Sequence, residues 1–413
     1  MSSRLDVTRR RLLRGALGSA ALAPLATLRL AHAQPGAAAG GPRFVFVILR
    51  GGLDSLSAVP APGDPAFAAA RAALAQFGAA PLPLGDGFYA LHPNLSGLHA
   101  MYGRGELAVV HAVGLPYRQR SHFDAQQVLE SGAERPYELT TGWLARAQAR
   151  STSASLALAT AVPLVLRGPG SVDTWAPSVL PEPGADLVAR LGRMYASDPP
   201  LANALERARA LHLDGTLPTP SAASAGGMTG AMAGPAAPPA PGGFVALARR
   251  AAEFLNPPAG PQVAVLDLGG WDSHANQANP NGPLANNLRQ LDAGLAALRE
   301  GLLAGDAWRR SVVVVATEFG REVAINGTLG TDHGSGGAAF VLGGAVRGGR
   351  VIADWPGLAP RERHEGRDLR TTTDLRAVLK GVLADHLQVP GARLDTEVFP
   401  GSQAVRPLAL LRG

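Results

Sequence analysis

Two hydrophobic patterns take turns along the chain. The first is a short, unbroken apolar run closed by glycine or a polar loop. It occurs at Phe44 to Leu49, at Leu107 to Gly114, in "LALATAVPLVLRG" at 156–168, at Gln262 to Gly270, at Ser311 to Gly320 and at Ala338 to Gly344. Runs without polar alternation are apolar on both faces, as strands buried inside a parallel sheet are. The second pattern has helical spacing. "HPNLSGLHAMYGRGEL" from His92, "SHFDAQQVLESG" from Ser121 and "TTDLRAVLKGVLADHL" from Thr372 each carry it, with Ser121 placed to cap the second. In "PLANNLRQLDAGLAALREGLL", Leu284, Leu288, Leu291, Leu295, Leu298 and Leu302 fall on one stripe.

Strands alternating with helices predict an α/β fold, with a mostly parallel central sheet and helices on both faces. One stretch breaks the alternation. Residues 214–243, "DGTLPTPSAASAGGMTGAMAGPAAPPAPGG", are rich in Pro, Gly and Ala and have no period. They predict a disordered surface insertion between two halves of one sheet. The rest of 44–413 then reads as a single domain, preceded by an Ala/Gly-rich linker at 34–43.

The formal net charge of +6 suggests an acidic partner until its position is noted. Residues 1–33 hold six arginines against Asp6, so nearly all of the excess lies there. Within that segment Thr8-Arg9-Arg10-Arg11-Leu12-Leu13-Arg14 resembles a twin-arginine export motif. A moderately apolar stretch follows, and Ala31-His32-Ala33 has the small-x-small form of a signal-peptidase site. Residues 1–33 are therefore expected to be a leader, cut before Gln34, that delivers the chain to the periplasm or outside the cell. A basic amphipathic helix or an uncleaved anchor is the alternative. The mature chain has no apolar run long enough for a transmembrane helix. It has no basic run interleaved with aromatics, which argues against nucleic acid as a partner. With no cysteine, thiolate metal sites, thiol nucleophiles and disulfides are excluded.

Ligands in open parallel sheets bind beyond the carboxyl ends of the strands. The residues that follow each run are therefore the candidates. They are Arg50, Asp54, Ser55 and Ser57; Arg118, Arg120, Ser121, His122 and Asp124; Asp272, His274 and Asn276; Glu318 and Arg321; and Asp332 and His333 in "TDHGSGG". Oxygen and nitrogen donors of this kind suit a divalent ion, Zn, Mn, Mg or Ca. Each residue also has a plainer reading. Asp54, Ser121 and Asp124 are good helix caps, His122 reads as a satisfied half-buried histidine, and Gly334, Gly336 and Gly337 read as turn formers. His92, His99, His111, His364 and His386 look structural.

The blocks "LRGGLDSLS", "HPNLSGL", "HAVGLPYRQRSHFDAQ", "TGWLARA", "LDLGGWDSHANQ", "TEFGRE", "GTDHGSGGAAFVLGGAVRGGRV" and "DWPGL" occur in this order between about 44 and 358. Together they resemble a twin-arginine-exported bacterial family, described as a domain of unknown function, within the alkaline phosphatase/sulfatase-like superfamily. The resemblance implies that fold and a metal-dependent hydrolase of phosphate or sulfate esters. It implies metal ligands at Asp54, Asp272, His274 and His333, and a nucleophilic hydroxyl at Ser121. Glu318 and Asp332 are further oxygen donors of the same loops, and Arg118 or Arg120 would neutralise an anionic ester substrate. The sequence departs from the superfamily where an Asp-His pair is usual, since Glu318-Phe319 stands there. The lack of cysteine excludes a formylglycine sulfatase. The alternative is a non-catalytic periplasmic binding or assembly protein on the same fold, with another exported envelope protein as partner.

Overall fold

The structure, a computed structural model, describes residues 40–151, 153–177, 183–213 and 243–412. The leader expected at 1–33 and residues 214–242 of the expected insertion lie outside them.

The strands among the described residues are β1 (Arg43–Leu49), β2 (Leu82–Leu84), β3 (Tyr89–Leu91), β4 (Leu107–Gly114), β5 (Ser155–Leu158), β6 (Val172–Thr174), β7 (Val263–Leu268), β8 (Ser311–Thr317), β9 (Gly337–Leu342), β10 (Arg350–Ile352) and β11 (Thr373–Asp374). The main helices are α1 (Ser55–Ala58), α2 (Phe67–Arg71), α3 (Ser96–Gly103), α4 (His122–Ser131), α5 (Trp143–Ala147), α6 (Ala185–Tyr195), α7 (Pro199–Leu213), α8 (Gly243–Leu255), α9 (Pro283–Ala304) and α10 (Leu375–Asp385). Helices α6 and α7 belong to a compact unit of their own and pack on each other there. Among the described residues no helix is long and apolar enough to cross a membrane.

Nine strands form one sheet in the order β10-β4-β9-β8-β1-β7-β5-β6, with β11 also paired to β4. All neighbours run parallel except β9, which is antiparallel to both β4 and β8. This is the mostly parallel α/β arrangement, with helices on both faces, that the alternating pattern predicts.

The unbroken apolar runs follow from cover on both faces. Val45, Val47 and Leu49 of β1 pack with Leu288, Leu291 and Leu295 of α9 and Leu255 of α8. Phe44, Phe46 and Ile48 pack on the other side with Val128 of α4, Trp143 of α5 and Val382 of α10. The six-leucine stripe of α9 is buried throughout. The run at 156–168 is less strand than its composition suggests. Strand β5 ends at Leu158, and a 3-10 turn follows at Leu164–Leu166, where Pro163 has no N–H to give to a ladder. Asp374 caps α10 by accepting from Arg376 N at 2.8 Å. Ser121 occupies the cap position of α4, but its side chain makes no capping bond.

The topology brings the polar loops to one edge. Strands β1, β4, β7 and β8 end there. Strand β9, being antiparallel, begins there, so "TDHGSGG" enters the same edge from the opposite direction.

His111 lies wholly inside β4. Its Nε2 donates to Val59 O at 2.9 Å, and Ala112 N donates to its Nδ1 at 2.8 Å. Both ring nitrogens are satisfied in the neutral form, and burial lowers the pKa from 6.5 to about 4. The unfolded chain therefore takes up a proton between those values that the folded chain refuses. The stability from this group is complete above pH 6.5 and is lost as pH falls towards 4, by about 3 kcal/mol. His111→Gln, which keeps a donor for Val59 O, should flatten the fall of the urea midpoint between pH 7 and pH 4.5. An unchanged slope would place the acid sensitivity elsewhere.

Candidate metal centre

Among the described residues, His122, Asp272 and His333 offer ligand atoms that all lie within 4.8 Å of one another. His122 is the first residue of α4, which follows β4, while Asp272 and His333 lie on the loops after β7 and before β9. Asp272 Oδ1 is the common point. It lies 3.2 Å from His122 Nε2, 3.0 Å from His333 Nε2 and 2.8 Å from His274 Nε2. His333 Nε2 is itself 3.0 Å from His122 Nε2 and 3.1 Å from His274 Nε2.

Each imidazole is held from behind through its other nitrogen. His122 Nδ1 donates to Glu318 Oε1 at 2.8 Å, His274 Nδ1 to Asp332 Oδ1 at 3.2 Å, and His333 Nδ1 to the Arg120 carbonyl at 3.1 Å. A carboxylate or a carbonyl can only accept, so each ring has an acceptor on both sides, and a neutral ring can donate to only one of them; an ion that took the Nε2 lone pair would fix the proton on Nδ1, against the acceptor behind. Acceptors behind the ring that fix its tautomer are the usual support of metal-binding histidines. The carbonyl of Arg120 reaches His333 from a left-handed backbone, φ 63°, which costs a non-glycine residue conformational energy.

The candidates from the sequence separate into groups. Asp272, His274 and His333 meet. Glu318 is buried behind His122, with Oε1 accepting also from Gly51 N (2.8 Å) and Gln126 Nε2 (3.0 Å) and Oε2 accepting from Thr317 Oγ1 (2.9 Å). Asp332 stands behind His274 and accepts from Asn326 Nδ2 at 3.2 Å. Asp54 is not one of the three: it caps α1 and pairs with Arg71 at 2.5 Å. Ser121 directly precedes His122. Arg120 binds Asp368 (2.8 Å) and Glu365 (2.5 Å), and Arg118 donates to the Leu115 carbonyl. His122 was not among the expected ligands. Its signal was present, since it follows β4 at the same edge as the rest.

Arg321 is the buried cation of the cluster. It lies 3.0 Å from Asp272 Oδ1, and its Nη1 is 3.3 Å from His274 Nε2. Burial opposes ionisation of Asp272. Hydrogen bonds from His333 and the charges of His122 and Arg321 outweigh that and hold its carboxyl well below the usual range. Burial also works against charge on His122, but Glu318 overcomes it and raises the pKa. For His333 burial wins, helped by the positive charge of His122 and Arg321, and the pKa falls.

The glycines of "TDHGSGG" serve close approach. Gly334 N donates to Gly320 O at 2.9 Å, Gly320 N to Ser335 O at 3.1 Å and Glu322 N to Asp332 O at 2.9 Å, so the loop zips onto "TEFGRE". A Cβ on Gly320 would sit 1.8 Å from Gly336 O, and one on Gly334 would sit 2.3 Å from the Arg321 carbonyl carbon. Neither glycine has a positive φ, so room is what they supply.

The family model described as "Protein of unknown function (DUF1501)" matches residues 111–395. The chain belongs to this family. The DUF1501 match contains every residue of the cluster and excludes Asp54 and Arg71. No curated protein sequence matches the chain. Among solved structures the DUF1501 chain is similar to Ps i-CgsB in complex with k-i-k-neocarrahexaose, at 10% identity over 86% of this chain and 74% of that one, with a TM-score of 0.43. It is similar to the C-terminal periplasmic domain of EcEptC from Escherichia coli in complex with Zn, at 13% identity over 75% and 74%, TM-score 0.35. It is also similar to BT1596, a 2-O GAG sulfatase, at 11% identity over 89% and 73%, TM-score 0.38. At these values no residue role is carried over from them.

Glu318→Gln removes the charged acceptor behind His122 while keeping the shape. It should weaken Zn²⁺ binding roughly 10- to 100-fold in a chelator competition. Unchanged affinity would remove His122 from the ligand set.

Proposed function

We propose that this DUF1501 chain is an exported metal-dependent hydrolase of phosphate or sulfate esters. The observation that supports it is the convergence of three imidazole Nε2 atoms on one carboxylate oxygen, each ring backed by an acceptor at its Nδ1. His122, Asp272 and His333 would hold a divalent ion, with His274 beside them. A set rich in imidazole suits Zn or Mn better than Mg or Ca. An ion bound there supplies Lewis acidity at the ester.

The chain's own residues would do the rest. Ser121, at the start of α4 beside His122, would attack or position a water. Of the two arginines expected to neutralise an anionic ester, Arg120 is taken by Asp368 and Glu365, while Arg118 donates to the Leu115 carbonyl and would be the one to meet the substrate. Residues 1–33 would export the chain by the twin-arginine route.

A second reading, a binding or assembly protein of the cell envelope, is favoured by Phe123. This ring is 76% exposed directly after His122, and Tyr137 is 66% exposed; large exposed apolar side chains often mark partner sites. Capture of a stoichiometric periplasmic partner, independent of metal and lost in Phe123→Ser, would support it.

Purified protein should contain a divalent metal and hydrolyse a member of an ester panel. His333→Ala should lose the metal and at least about 10²-fold in kcat/KM. Ser121→Ala should keep the metal and lose about 10²-fold or more in kcat. A metal-free wild type without turnover would remove the hydrolase reading.

A further inference from the structure

We infer that the centre is built for a single divalent ion, and that the buried guanidinium groups of Arg71 and Arg321 stand where a second cation would need carboxylates. The inference rests on the metal reading above and concerns how many ions the edge of the sheet can take.

The carboxylates expected from the sequence to hold metal at this edge are Asp54, Asp272, Glu318 and Asp332. Two of them, Asp54 and Glu318, are buried among protein donors. Asp54 is 1% exposed. Its Oδ2 accepts from Arg71 Nη2 at 2.5 Å and Ser57 Oγ at 2.7 Å, and its Oδ1 accepts from Ser57 N at 3.3 Å. Arg71, 0% exposed, also donates to Ser57 Oγ (2.9 Å) and to the carbonyls of Glu322 (3.2 Å) and Val323 (3.1 Å). The pair therefore joins α1 to the loop that carries Arg321. Drawing Asp54 onto an ion would leave a buried guanidinium without its counter-charge, which a protein interior tolerates poorly. Glu318 is buried, with Oε1 accepting from three donors and Oε2 beside Thr317 Oγ1, whereas Asp332 is half exposed and accepts from His274 and Asn326 through Oδ1 alone.

Arg321 is equally fixed. Its Nε donates to Gly52 O at 2.7 Å, Nη2 to Gly51 O at 2.7 Å and Trp271 O at 2.8 Å, and Nη1 to Thr331 O at 3.2 Å. It cannot swing away without abandoning four backbone carbonyls. A second divalent ion beside Asp272 would meet the charge of the first ion as well as that of Arg321, with Asp54 unavailable to offset it, and in a partly buried site the repulsion is little screened. The face formed by His122 Nε2, His333 Nε2 and Asp272 Oδ1 gathers three donors for one ion, and Asp332 stands outside it, behind His274.

The test is stoichiometry. The protein is loaded with excess Zn²⁺, passed through a desalting column and analysed by inductively coupled plasma mass spectrometry. The expected content is about one ion per chain. Asp54→Asn should retain it. If that variant does not fold, Asp54→Asn combined with Arg71→Met, which removes both buried charges, should retain it instead. Two ions per chain in the wild type would overturn the inference and leave the metal reading standing. So would loss of the ion from a folded Asp54 variant. A wild type that binds none would overturn both.

Discussion

Arg321 ties the strand-end loops together. Its donors reach carbonyls on the loop after β1, the loop after β7 and the loop before β9, while its own backbone belongs to the loop after β8. Buried donors without partners are costly, so each of those loops must present a carbonyl at hydrogen-bond distance. Burial lowers the pKa of the guanidinium, and the charges of Asp272, Asp54 and Glu318 work against that. The need for backbone contact explains much of the glycine around it. Gly51 has φ +118°, and a Cβ there would lie 2.5 Å from Asp272 N. The paired glycines after β1 are thus part of the mechanism that holds Asp272 in place.

Sheet and edge were both legible in the sequence, because both follow from rules about faces and directions. An apolar run covered on two sides reads the same in any such sheet, and polar residues beyond its end must meet others beyond neighbouring ends. Less legible was which side chains turn inward. Glu318 and Asp332 belong to the right loops, but nothing local says that each stands behind a histidine. The partner of Asp54 is Arg71, on α2, seventeen residues on. No spacing rule links a cap residue to a guanidinium one helix later. His122 was visible by position and was passed over because a histidine beside a helix cap has an ordinary reading. What turns it inward is Glu318, a contact spanning 196 residues of sequence.

The departure at Phe319 takes on a physical meaning in this setting. A phenyl ring cannot bind an ion, but its centroid lies 4.7 Å from that of His122 and 5.0 Å from that of His333. It forms an apolar wall against both rings. Such a wall disfavours the imidazolium form, and burial is the leading cause that lowers the pKa of His333. On His122 the same pressure is outweighed by Glu318. The two neighbours of the "TEFG" segment thus act in opposite directions. Glu318 orients one imidazole and keeps it basic, and Phe319 shields one side of both rings from water. A metal competes with protons for imidazole nitrogen, so a wall that disfavours protonation assists binding even though it contributes no donor. Phe319 offers no donor and acts on the two imidazoles through desolvation.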